Sequence, residues 1–234
     1  MNALHVLSGG AANGLVSRVQ PRFTALTGLT IAGTFSAVGQ MKDALLAGQP
    51  CDLIILSEAL ITELMAAGHL QAGSATRLGS VKTGVAVPQG MASPEVSHEA
   101  GLRQALQAAQ AVYIPDPVKS TAGIHFMKVL KALGLEAELA PWLKAFANGQ
   151  TAMAAMAADA AAGHTGLLGC TQVTEILNTA GVQLAGLLPA SLELSTVYTA
   201  AVVQGSAQAL PAAQLCTMLA DEEAAPVRAA CGFS

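Results

Sequence analysis

Short apolar runs alternate with amphipathic stretches along the whole chain, and glycines or small hydroxylated residues mark the changes of period. Leu4–Leu7 predicts a strand, Ser8 to Asn13 a loop, and Gly14–Thr27 a helix stopped by Gly28. Thr30–Phe35 predicts a second strand. It runs into the small-residue loop Ser36-Ala37-Val38-Gly39, which opens a helix over Gln40–Ala47 stopped by Gly48. The apolar run Cys51–Leu56 is a buried strand, followed by a helix at Glu58–Ala67 closed by Gly68. Lys82–Val87 predicts a strand that crosses into a second lobe.

The same alternation continues: helix Glu99–Ala109, strand Ala111–Ile114, and a turn-rich loop Pro115 to Gly123 that opens a helix to Leu133, ended by Gly134. Gln150–Ala162 is helical and Thr165–Gly169 a strand; Thr171 is the expected N-cap of the next helix. Thr196–Val203 is a strand returning to the first lobe, Leu210–Ala220 is helical, and the tail after Asp221 is expected to pack loosely or cap that lobe. Strands alternating with helices define an α/β protein with a parallel sheet buried on both faces. The expected lobes are residues 1–82 plus 196–234, and residues 83–195.

Composition narrows the function classes. The chain has 234 residues, 53% hydrophobic and 11% charged, so two lobes are affordable in length. The longest uncharged run, Leu194 to Ala220, is broken by Gly205, Pro211 and three glutamines, which excludes a membrane span. A net charge of −4 offers no basic patch for nucleic acid. Aromatics at 3% leave few platforms for a sugar. Cys51, Cys170, Cys216 and Cys231 show no CxxC spacing and fit a reducing compartment; Cys216 with Cys231 is the one conceivable pair. Met1 enters a strand with no basic segment and apolar stretch before it, so the expected location is cytoplasmic, or periplasmic after removal of a signal peptide.

The candidate chemistry is anion binding. A loop of small residues at a helix start presents backbone N–H groups and the positive end of the helix dipole. Ser8 to Asn13, Ser36 to Gly39 and Lys119 to Gly123 have this form, as does Gly169 to Thr174. In open α/β sheets, ligands sit beyond the carboxyl ends of the strands, where such loops lie. Lys119 beside Ser120 and Thr121 is the leading cationic candidate, and Lys82 is a second. Arg18 and Arg22, four apart on one helix, read as solvated surface. The five histidines have no ligand spacing, and no HExxH or Cys/His cluster occurs, so neither a metal nor another cofactor is expected. No G-x-S-x-G elbow and no P-loop supports a hydrolase or NTPase.

The ordered set SGGAANGL (Ser8–Leu15), TFSAVGQMKDALLAGQPCDLIIL (Thr34–Leu56), YIPDPVKSTAGIHFMKVLKALGL (Tyr113–Leu135), GHTGLLGCTQVTEIL (Gly163–Leu177) and VYTAAVVQGS (Val197–Ser206) resembles one known family. It is the molybdate-binding-protein-like family of type II periplasmic solute-binding proteins. The resemblance implies two α/β lobes joined by two crossover strands, with an anion in the cleft between them. It implies ligand donors at Ser8, Gly9, Gly10 and Ala11, at Ser36, Ala37 and Val38, and at Ser120, Thr121, Ala122 and Gly123. Gln172 joins this set, in a stretch where molybdate binders often carry a tyrosine. Ser8-Gly9-Gly10-Ala11 also departs from their usual A-A-S-L run. The pattern is closer to the branch that includes aconitate isomerase.

Two functions follow. The first is an isomerase of a small organic polycarboxylate, moving a proton and a double bond. Lys82, Lys119, Ser36 and Ser120 would hold carboxylates, and His125, Glu58 or Lys119 would be the base, with no choice among the three. The second is a non-catalytic receptor for molybdate or another small oxyanion or carboxylate, serving an ABC transporter if the chain is exported.

Overall fold

The computed structural model describes residues 3–234. In chain order the strands and helices are β1 Ala3–Gly9, α1 Asn13–Thr27, β2 Thr30–Ser36, α2 Val38–Leu46, β3 Leu53–Ser57, α3 Glu58–Ala66, β4 Thr76–Pro88, α4 Glu99–Ala108, β5 Ala111–Pro115 and α5 Thr121–Ala132. Then come α6 Glu136–Leu139, β6 Leu143–Phe146, α7 Gly149–Ala161, β7 Leu167–Gln172, α8 Val173–Leu177, β8 Val182–Leu187, β9 Ser195–Val202, α9 Ala209–Ala220 and α10 Ala225–Cys231. The chain divides into two compact units, residues 1–81 with 196–234 and residues 82–195. Strand β4 begins in the first unit and ends in the second.

The first unit is built on the strand order β2-β1-β3-β9. Strand β1 lies parallel to β2, with Gly9 opposite Ser36, and parallel to β3; β9 returns antiparallel, with Tyr198 opposite Ser57. Leu53, Ile54, Ile55 and Leu56 are all buried, as expected of a central strand covered on both faces. Helix α1 buries Leu15, Val16, Val19 and Phe23, a stripe at helical spacing. Each is worth roughly 1.5–3 kcal/mol of burial.

The second unit has β4 between β8 and β7, then β5 and β6. Strands β5, β6 and β7 are parallel, and β4 runs antiparallel to both β7 and β8. Residue alternation divides its core into two layers. Val85, Val87, Val112, Ile114, Leu168 and Cys170 face α4 and α5, packing on Leu102, Leu106, Phe126, Val129 and Leu130. Ala86, Ala111, Tyr113 and Leu167 face α7 and α8, packing on Met153, Met156 and Ile176. Met153 packs directly on the Gly169 backbone, where an added Cβ would sit 2.4 Å from Met153 Cε.

Several expectations need correction. The sheets are mixed, because the strands that pass between units run against their neighbours. Helix α2 starts at Val38 rather than Gln40, with Ala37 as N-cap. Thr171 lies within β7, and Gln172 is the N-cap of α8. Of the two expectations for the tail after Asp221, loose packing is not seen and packing onto the first unit is. Helix α10 buries Cys231, and Ser80 and Ser234 exchange backbone hydrogen bonds. Arg22 bridges Asp221 at 2.6 Å and Glu223 at 2.9 Å, and Arg18 donates to Cys231 Sγ, so neither arginine is merely solvated. All four cysteines are free, Cys216 and Cys231 included.

Candidate functional site

Each unit carries most of its candidate residues at the carboxyl ends of parallel strands. In the first unit, Ser8 and Gly9 end β1, and Ser36 ends β2 directly beside Gly9. Ser8 is fully buried, and its hydroxyl donates to the Gly9 carbonyl at 2.9 Å. Gly10 and Ala11 lie in a 3-10 turn that leads into α1. Ala37 and Val38 open α2, and the Ser36 hydroxyl bonds the Gln40 side chain. Gly9 is glycine for a steric reason: an added Cβ would come within 2.7 Å of Val38 Cγ1 and 3.1 Å of the Tyr198 ring. Two loops therefore approach each other closely.

In the second unit the corresponding edge is formed by β5 and β7. Asp116 Oδ1 accepts from the Val118 and Lys119 amides at 2.7 and 2.9 Å, and the Asp116 carbonyl accepts from Ser120 N–H at 3.1 Å. This compact turn delivers the chain to α5 with Ser120 as N-cap. Ser120 is buried, and its side chain makes no capping bond to the helix. Thr121, Ala122 and Gly123 form the first turn. A Cβ on Gly123 would lie 2.2 Å from the Asp116 carbonyl oxygen, so only glycine lets α5 start this close to the loop. Gln172, at the end of β7, is buried on the α5 face of the sheet, opposite Thr83 of β4.

Helix α7 begins at the same edge but is filled from within. Asn148 Oδ1 accepts from Thr151 N–H at 2.8 Å. The Glu175 carboxylate accepts from the Gly149 amide at 3.2 Å and from the Thr171 hydroxyl at 2.5 Å. Glu175 is buried, and desolvation pushes its pKa above the usual glutamate range against the opposing pull of these donors. An internal carboxyl group thus occupies the start of α7, while the N-cap side chain of α5 makes no capping bond.

The charged candidates are mostly engaged. Lys82 is paired with Glu193 at 2.6 Å, and Glu58 with Arg77 at 3.0 Å. His125 shares its Nε2 with the Leu192 carbonyl at 2.8 Å, within the first two turns of α5. Lys119 is exposed beside Ser120. The structure thus groups Ser8 to Ala11 with Ser36 to Val38 in one unit, and Ser120 to Gly123 with Gln172 and His125 in the other. Sequence reasoning missed Glu175 and Thr83. Glu175 stands three residues after the observed N-cap Gln172, whereas the expected N-cap Thr171 put it one residue out of capping-box spacing. Among the described residues, no cluster of His, Cys, Asp and Glu is placed to hold a metal ion, and no helix is long and apolar enough to cross a membrane.

These strands, loops and helices have the α/β architecture of periplasmic binding proteins. The chain belongs to the bacterial extracellular solute-binding protein family, whose model matches residues 4–234. The structure is similar to the periplasmic molybdate-binding protein of Azotobacter vinelandii, with a TM-score of 0.79 at 19% identity, covering 99% of this chain and 98% of that one. It is also similar to the sulfate-binding protein of Mycobacterium tuberculosis H37Rv, with a TM-score of 0.73 at 19% identity, covering 100% and 86%. In sequence it is similar to an aconitate isomerase of Pseudomonas sp., 26% identical over 96% of this chain and 85% of that one. The resemblance read from the sequence is therefore borne out. The family is described as extracellular, which gives the cytoplasmic expectation no support.

Proposed function

We propose that this chain is a solute-binding protein for a small, multiply charged anion, an oxyanion or a carboxylate, held by neutral donors at the strand ends. The observation that carries this reading is the start of α5. A twelve-residue helix begins at a tight turn, with a buried serine that does not cap it and a glycine forced by close backbone approach. The amides of its first turn and the Ser120 hydroxyl are suited to an anion. In the other unit, the loops of Ser8 to Ala11 and Ser36 to Val38 end parallel strands with small residues of the same kind. The family relationship, and the names of the molybdate- and sulfate-binding neighbours, support the same ligand class. The role that follows is capture of the anion outside the cytoplasm and delivery to an ABC transporter.

A second reading is favoured by the match to an aconitate isomerase. In it, a tricarboxylate is bound by the same donors and His125, Glu58 or Lys119 moves a proton from one carbon to another.

One experiment tests both. Thermal unfolding is followed with molybdate, tungstate, sulfate, citrate, and cis- and trans-aconitate. A ligand at a hundredfold excess over its Kd stabilises the fold by about 2.7 kcal/mol, which for a chain of this size raises Tm by roughly 5–10 °C. A rise with at least one anion is expected; no rise with any of them overturns the anion-binding reading. Incubation with each aconitate isomer, followed by separation of the isomers, decides the second reading: interconversion supports it, and unchanged isomers exclude it.

A further inference from the structure

Three buried threonine hydroxyls, on Thr83, Thr174 and Thr199, make no hydrogen bond among the described residues. An unpaired buried hydroxyl costs folding free energy, so each needs a reason. Thr83 is the one whose place in the fold supplies a reason. It lies on β4, opposite Gln172 at the carboxyl end of β7, and is fully buried. Its strand neighbours at even spacing, Val85 and Val87, both pack in the layer that faces α5. Alternation therefore directs the Thr83 side chain to the α5 face, at the edge where α5 begins.

The segment Leu188 to Leu194 fixes this placement. Leu188 N–H donates to the Thr83 carbonyl at 3.3 Å, and Thr83 N–H donates to the Leu194 carbonyl at 3.1 Å. From the same segment, the Leu192 carbonyl bonds His125 in the first half of α5. Thr83 and the start of α5 are thus held against one short stretch of chain. The backbone of Thr83 is satisfied on both sides, and only its hydroxyl is left over.

We infer that Thr83 is a further anion-contacting residue of this site, its hydroxyl donating to the same ligand as the first-turn amides of α5. This rests on the anion-binding reading above and adds to it a residue that no strand-end loop contains. A hydroxyl donor also has a consequence for selection. It donates one hydrogen bond to a ligand oxygen and adds no charge, so the site gains a fixed direction of approach.

The test is titration calorimetry on the full chain and on the variants Thr83→Val and Thr83→Ser, with sodium molybdate, sodium sulfate and trisodium trans-aconitate. Valine keeps the shape and removes the hydroxyl; serine keeps the hydroxyl. For the anion that binds the parent chain most tightly, Thr83→Val is expected to weaken binding roughly ten- to hundredfold, the range for a hydrogen bond to a charged group. Thr83→Ser is expected to stay close to the parent. The ligand-free Tm of Thr83→Val should equal or exceed that of the parent, because a methyl replaces an unpaired hydroxyl. A purely structural role would not produce lost affinity with retained stability. Parent-like affinity in Thr83→Val overturns this inference and leaves the anion site standing. No binding of any of the three anions by the parent chain overturns the inference together with the reading it rests on.

Discussion

Gly123 shows how much of the candidate site rests on single atoms. It occupies the first turn of α5 with ordinary helical backbone, so its identity is a matter of space and not of φ. An added Cβ would meet the Asp116 and Pro115 carbonyl oxygens at 2.2 and 2.5 Å. Both are backbone atoms of a turn already fixed by Asp116, and neither can swing aside. Gly123→Ala is therefore expected to destabilise the fold by about 1–3 kcal/mol, the cost of overpacking a tight contact. It should also weaken anion binding, because the first-turn amides would be displaced. Urea unfolding and the anion titration check the two effects; a variant as stable as the parent would refute the steric account. At this scale the sequence was informative where residue type and position coincide. Ser120, Gly123 and Gln172 stood out because they follow apolar strands. Thr83 did not, because a threonine within a strand is unremarkable until its missing partner is seen. The pairing of Lys82 with Glu193 joins residues 111 positions apart in sequence, which local patterns do not reveal.

At the scale of elements, α5 and α7 start on the same edge of one sheet but are capped differently. Helix α7 is closed by Asn148 and by the buried Glu175. Burial holds the Glu175 proton to higher pH than in the unfolded chain, despite the donors from Thr171, Gly149, Gln150 and Gln172. A group with a raised folded pKa contributes stability that is fully present below its ordinary range and is lost as pH rises through the raised value. Stability should thus fall on going from a mildly acid to a mildly alkaline pH, and Glu175→Gln should flatten that fall. The carboxylates held low, Glu95, Asp159 and Asp221, lose their contribution only at more acid pH and do not confuse the comparison. Denaturant midpoints for both proteins at the two pH values give the answer; identical slopes would remove Glu175 as the source. Most elements were legible because their apolar periods are long. Strand β6 was missed because it has four residues, with Lys144 and Ala145 exposed. Strand β8 was missed because it is only partly buried along most of its length. Helix α10 was missed because its order comes from tertiary partners, with Arg228 donating to the Leu219 and Asp221 carbonyls.

For the whole molecule, the two units differ in how the chain builds them. The first is assembled from two segments, residues 1–81 and 196–234, whereas the second is the single stretch 82–195. Both core layers of the second unit are drawn entirely from that stretch, from Val85 to Leu192. Its central strand segment, Gly84–Ala86, has β7 on one side and β8 on the other, so cutting the chain at residue 82 exposes no new edge there. The turn that positions α5 and the Glu175 contacts that close α7 are likewise internal to it. A fragment of residues 82–195 is therefore expected to fold alone, with a single cooperative urea transition and a stability in the usual range of roughly 5–15 kcal/mol. Far- and near-ultraviolet circular dichroism through the same titration provides the check, since coincident transitions mark a packed core. Helical signal without near-ultraviolet structure would mean that these core layers need the rest of the chain to pack. The converse fragments, 1–81 and 196–234 expressed separately, should each fail to fold: β9 comes from one and β1 to β3 from the other, and Ser57 must find Tyr198 across the gap. Mixing them should restore structure only when both are present, because β3 is flanked by β1 from its own segment and by β9 from the other.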